Sequence, residues 1–192
     1  MGEPTSPSPA LLLLAAFSRY EAALAWVRDR ASEAWGPVAL ESRSFRFDET
    51  DYYQPTMGPG LRKVFFTFAR PFDPGNLAEV KLQANQWEQV YARESGHLES
   101  RPLNLDPGYL TLGKLVLAST KDHAHRIYLA RGIYAEVTLR YRHGRWESHR
   151  WTFADYRRGD YQEFFSACRD LLHRGQREGG QREGGQWEGQ VG

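Results

Sequence analysis

The residues best suited to chemistry fall in one stretch, Asn104 to Glu136, which reads NLDPGYLTLGKLVLASTKDHAHRIYLARGIYAE. His123 and His125 stand two apart. On an extended strand that spacing puts both imidazoles on one face, as zinc or iron sites can require. Asp122, Asp106 and Glu136 are the carboxylates available to join them, but two histidines without a third fixed ligand leave any metal unspecified. The competing reading makes Lys121-Asp122-His123-Ala124-His125 a solvated turn between strands. Glu136 lies in the stretch Ile133 to Tyr141. Alternation there puts Ile133, Ala135, Val137 and Leu139 on one face and Tyr134, Glu136, Thr138 and Arg140 on the other. That polar face is either solvent-facing or the floor of a pocket.

Read as a pocket, the segment offers His123, His125, Glu136 and Asp106 for acid–base catalysis. Tyr109, Lys114, Lys121, Arg126 and Tyr53 are its candidates for holding a ligand. Lys121, His125 and Arg126 suit a phosphate or carboxylate. The expected ligand is therefore small and anionic, a nucleotide or a phosphorylated metabolite. The alternative is a non-catalytic domain that binds protein or RNA. No cofactor and no oligomeric state follow from these residues. Asn104-x-Asp106-Pro107-Gly108 also has turn chemistry, so a turn is expected at Asp106-Pro107-Gly108.

Other motifs fail on inspection. Gly108 to Lys114 matches GxxxxGK, but Leu115 stands where a phosphate loop needs Ser or Thr for magnesium, and the segment continues as an apparent strand rather than a helix. There is no GxGxxG and no GxSxG string. Ser119-Thr120 adjoins Lys121 and His123, but sequence adjacency is not triad geometry. Cys168, the only cysteine, sits on an apolar helical stripe and reads as an inert buried thiol.

A chain of 192 residues is long enough for one domain with its own core. One cysteine excludes an internal disulfide and suits a reducing, cytoplasmic setting. A net charge of +1 argues against a general nucleic-acid binder, whose affinity comes from neutralising phosphates. No run approaches the roughly 20 apolar residues of a membrane helix. Ala10 to Phe17 lacks a basic lead and reads as a buried strand rather than a signal peptide.

The elements that must position these residues alternate regularly. Leu11–Phe17 is expected as a central strand. A helix follows over Glu21–Trp35 and stops at Gly36-Pro37. Strands are expected over Glu41–Phe47 and Lys63–Ala69, with a loop from Asp48 to Gly60 between them. A second helix starts near Asn76, which has capping-box spacing with Glu79, and carries Leu77, Val80, Ala84, Trp87 and Tyr91 as its apolar stripe. Extended segments follow at Leu103–Leu105, Leu110–Ala118, Arg126–Leu129, Ile133–Tyr141 and Arg145–Phe153, with a hairpin turn at His143-Gly144. A last helix spans Tyr161 to about Leu172. The order predicts an α+β domain over residues 10–174, with a ferredoxin-like βαββαβ core extended by a β-meander and a final helix. Residues 1–9 and the Gly/Gln/Arg/Glu repeats of 175–192 are expected to be disordered.

The string NLDPGYL, followed by KLVLASTKD, HRIYL and GIYAEVTL, resembles the signature of a family called domain of unknown function 4416. Tyr52-Tyr53-Gln54-Pro55-Thr56-Met57-Gly58 is similar to that family's YYxxEMG motif, with Thr56 where the motif has an acidic residue. The resemblance runs from about Leu11 to Leu172. It implies a soluble bacterial or archaeal protein and no established activity. Some members carry a GTP-binding label, which the missing phosphate loop does not support.

Overall fold

The structure is a computed structural model that describes residues 2–183, with side chains as far as residue 176. Residues 2–9 form no helix or strand and are exposed. β1 (Ala10–Ser18) is buried along its whole length, as the apolar run Ala10–Phe17 requires, and the Ser18 hydroxyl donates to the Pro102 carbonyl. α1 (Glu21–Trp35) buries Ala23, Leu24, Val27 and Ala31. The expected strand at 41–47 is two pieces, β2 (Val38–Glu41) and β3 (Phe45–Arg46). Ser42 interrupts it: its Oγ accepts from the Phe65 N–H at 2.9 Å. The loop that follows contains one short helical turn, α2 (Gln54–Met57).

β4 (Arg62–Phe72) leads through a 3-10 turn at Pro74–Asn76 into α3 (Leu77–Glu94). The cap is not Asn76, whose side chain makes no capping bond. Asp73 caps the preceding 3-10 turn, accepting from the Gly75 N–H at 2.8 Å. Then come β5 (Asn104–Leu110), β6 (Lys114–Ser119), β7 (Ile127–Ala130), β8 (Ile133–Arg142), β9 (Arg145–Ser148) and α4 (Gly159–Glu183). His143 and Gly144 both have positive φ, 50° and 77°, as a two-residue hairpin turn needs. α4 runs past its expected end at Leu172, through the start of the repeats. Residues 184–192, and Met1, lie outside the described residues.

The strands form one nine-stranded sheet in the order β2-β4-β1-β5-β6-β8-β7, with β3 beside β4 and β9 beside β8. All pairings are antiparallel. The fold is α+β. α1 and α3 cover one face against Leu12, Leu14 and Ala16 of β1. α4 covers part of the other, packing Tyr161, Phe165 and Cys168 on Leu11, Leu13, Ala15 and Phe65.

Two departures from the expected pattern shape the site. The first is at Asp106-Pro107-Gly108, which is no turn but the middle of β5. β5 pairs with β6 only through Gly108, Tyr109 and Leu110, whereas its first half pairs with β1 alone. Pro107 has no N–H to offer a ladder. Gly108 makes the crossing possible, because a Cβ there would collide with the Val116 carbonyl oxygen. Beyond that crossing the two strands part. The second is a bulge in β8. Val116 pairs with Val137 and Leu115 with Leu139, so Thr138 is the extra residue. The bulge reverses the alternation. Leu139 therefore joins the α4 core on the face that also carries Glu136, instead of siding with Ile133 and Val137.

Candidate functional site

Where β5 and β6 part, a cavity of about 610 Å³ opens on the sheet face that α4 leaves uncovered. Its floor comes from four strands. Lys63 on β4 is opposite Phe17, Asp106 on β5 is opposite Ala15, and Glu136 on β8 is opposite Leu117 of β6. Cross-strand partners share a face, so these side chains emerge together.

The gap lets α3 reach in from the far side. Lys81 donates to the Leu105 carbonyl at 2.7 Å and to Asp106 Oδ1 at 3.3 Å. Glu88 accepts the Leu105 N–H at 2.7 Å and holds Arg101 through Nε and Nη2. Side chains of α3 thus satisfy the strand backbone that β6 has left unpaired. Asn104 donates to Asp106 Oδ2 at 2.9 Å. Burial opposes the charge of Asp106, but Lys81, then Lys63 and Arg101, outweigh it and hold its carboxyl below the usual range. Burial pushes the Glu88 carboxyl up, against Arg101 and Lys81. Burial, with Asp106 second, likewise raises Tyr53, so its phenol stays protonated.

On the β8 side, Glu136 Oε2 accepts from Arg126 Nε at 2.8 Å and from His125 Nε2 at 2.9 Å. Arg126 Nη1 also donates to Ser119 Oγ at 2.6 Å and to the Lys121 carbonyl at 2.9 Å. The Arg126 and Glu136 side chains are 5% and 1% exposed, so this is a buried ion pair. A second buried pair, Lys63 with Asp155, closes the inner end. The Lys63 ammonium lies 4.1 Å from the Phe47 ring centre and 4.8 Å from that of Phe17. At the mouth, Lys121 donates to the Tyr52 hydroxyl at 3.2 Å, linking the loop before α2 to the loop after β6.

Of the residues singled out from sequence, Asp106, Lys121, His123, Arg126, Glu136 and Tyr53 line this one cavity. His125 braces Glu136 from behind the wall. Two are misplaced. Tyr109 packs with Phe72 on the opposite face of the sheet, because it is one residue out of phase with Gly108 and three with Asp106. Lys114 is exposed at the other end of β6, opposite Arg140. Thr56, the departure from the family motif, is exposed and does not line the cavity, although its carbonyl accepts the Arg101 N–H at 3.0 Å. His123 and His125 lie in nearly parallel planes with ring centres 5.9 Å apart. Among the described residues, no three His, Cys, Asp or Glu side chains gather as metal ligands.

The residues that sequence reasoning passed over are Lys63, Lys81, Glu88, Arg101 and Asp155. A signal existed for Lys81. It is four residues after Leu77 and three before Ala84, on the stripe that α3 buries. A lysine there must find a partner in the protein.

No helix among the described residues is long and apolar enough to cross a membrane. Comparison with curated proteins and with solved structures gives no match. A family model does match, over residues 8–171, and takes in β1 through most of α4, including every residue that lines the cavity. The chain therefore belongs to the family described as Domain of unknown function (DUF4416).

Proposed function

We propose that this protein binds a small anionic ligand in the cleft between β5 and β6, with the anion seated at the mouth beside Lys121 and His123. One observation carries the reading. The cavity is lined by five cations, Lys63, Lys81, Arg101, Lys121 and Arg126, and four of them are already matched to carboxylates within it. Lys121 alone among the five has a neutral partner, the Tyr52 hydroxyl. It is the cation free to meet a phosphate or carboxylate. The volume suits a ligand the size of a nucleotide or phosphorylated metabolite. If the site is catalytic, Asp106 is the fixed, ionised carboxylate, and Tyr53 is a proton donor in the same cavity. The strand order β2-β4-β1-β5, with α1 and α3 on one face, supports a ferredoxin-like reading of the first half. The single buried free thiol is in keeping with a cytoplasmic setting.

The test is calorimetry of the full chain against inorganic phosphate, sugar phosphates and mononucleotides, with Lys121→Ala alongside. Binding that Lys121→Ala weakens about tenfold is expected, as for loss of one charged hydrogen bond. Undiminished binding to that variant would exclude the mouth as the anion site. A second reading, a non-catalytic interaction domain, rests on Ile127, Tyr128 and Leu129, exposed in a row on the edge strand β7.

A further inference from the structure

Four flat rings stand in a column beside the cavity. His149 and Trp151 are 4.8 Å apart with 3° between their planes. Trp151 and His125 are 5.3 Å apart at 13°, and His125 and His123 are 5.9 Å apart at 14°. The middle rings are locked from the side. Trp151 Nε1 donates to the Val137 carbonyl at 3.0 Å, and His125 Nε2 is bonded to Glu136, itself held by Arg126. His149 closes one end, with its Nε2 buried. His123 ends the column at the other. It is exposed, it lines the cavity, and no ring of the described residues other than His125 stacks on it.

A ring lying parallel to a locked neighbour loses less freedom when a ligand covers its outer face. A planar group laid there extends the column. Lys121, the cation without a carboxylate, is two residues away on the same loop. The other four cations of the cavity are charge-matched, so the remainder of a ligand gains most from being uncharged.

We infer that His123 is a stacking platform, and that the ligand of this cleft carries a planar aromatic or heteroaromatic ring next to its anionic group. The inference rests on the cleft being an anion site and names the class of ligand it takes. It gives His123 a binding role rather than a catalytic one. The column aligns the platform, so Trp151 and His125 are positioning residues.

Phenyl phosphate and cyclohexyl phosphate test this on the full chain, because they match in charge and size and differ in planarity. Phenyl phosphate is expected to bind about tenfold more tightly, the gain of one stacking contact. His123→Ala should abolish that preference, bringing phenyl phosphate down to the affinity of cyclohexyl phosphate for the same variant, while His123→Phe should retain it. Lys121→Ala should weaken both compounds equally. In NMR spectra the carbon-bound imidazole protons of His123 should shift upfield with phenyl phosphate and not with cyclohexyl phosphate. His123 is exposed, so these variants keep the fold. Equal binding of the two phosphates, with no ring-current shift, would overturn the platform while leaving the anion site standing. Binding of neither would overturn both.

Discussion

One face of the sheet carries two opposite environments on the same strands. At one end, Leu11 and Leu13 of β1, Phe65 of β4, Leu110 of β5 and Leu139 of β8 pack beneath Tyr161, Phe165 and Cys168 of α4. At the other end the same four strands present Phe17, Lys63, Asp106 and Glu136, which lie outside the α4 core; Met57 of the short α2 packs on Phe17. The apolar end gains stability from area removed from water. The polar end holds three pairs of charges, Lys63–Asp155, Lys81–Asp106 and Arg126–Glu136. Buried ion pairs contribute little net stability compared with apolar residues of the same volume. Three such pairs beside a cavity, on strands whose other ends are apolar, are what favours the proposed ligand site.

The contrast can be broken most forcefully by truncation. Phe165→Ala should cost about 3–5 kcal/mol in denaturant unfolding, as transfer and cavity terms combine. Glu136→Ala should cost a similar amount, roughly 3–5 kcal/mol, for a different reason: it leaves the Arg126 charge buried and unpaired. The two mechanisms separate on a second substitution. Arg126→Met with Glu136→Leu should recover most of the loss, whereas no charge change restores Phe165→Ala. Failure of that rescue would mean that the pair holds the fold rather than the cleft.

Asp106→Ala should be milder, about 1–3 kcal/mol, because Lys81 keeps its bond to the Leu105 carbonyl. Asp106 also has a pH signature. Its carboxyl is lowered in the folded state, so its contribution is present above the unfolded value near pH 4 and is lost as pH falls further. In unfolding titrations from about pH 5 down to about pH 2, which bracket that value, wild type should lose more stability than Asp106→Asn.

His149 should give a smaller effect of the opposite origin. Burial, helped by Arg140, lowers its imidazole. The unfolded chain then binds the proton more readily, so stability falls as pH drops below about 6.5. His149→Gln should flatten that part of a melting-temperature profile. The smallest expected change in stability is for Lys121→Ala, within about 0.5 kcal/mol. Its effect belongs to ligand binding, and a large loss of stability there would blur the division between the two ends.

Much of this architecture is legible along the chain. The all-apolar run at Ala10–Phe17 is a strand buried on both faces, and α1 ends at Gly36-Pro37, where the sequence places its stop. His143-Gly144 turns as expected. Asp106, Lys121, His123, Arg126, Glu136 and Tyr53 are recognisable as chemically useful from their types and neighbours. What misleads is local chemistry overruled at a distance. Asp106-Pro107-Gly108 has every local mark of a turn, yet β1 pairs with it in extended form and Gly108 lets β5 pass close to β6. Simple alternation through β8 fails because one bulged residue, Thr138, reverses the faces beyond it.

Sequence by itself determined the α+β class, the three long helices with most of the strands between them, and the family, because periodicity and a long shared motif are properties of neighbours along the chain. Only the tertiary structure decided that there is a cleft at all. That depends on where two strands separate, which a missing N–H at Pro107 permits but does not require. It also depends on Lys63, Lys81, Glu88, Arg101 and Asp155, which come from distant segments and meet only when the sheet is assembled. The polar segment from Asn104 to Glu136 supplies about two fifths of the residues that line the cavity, and the rest arrive through space.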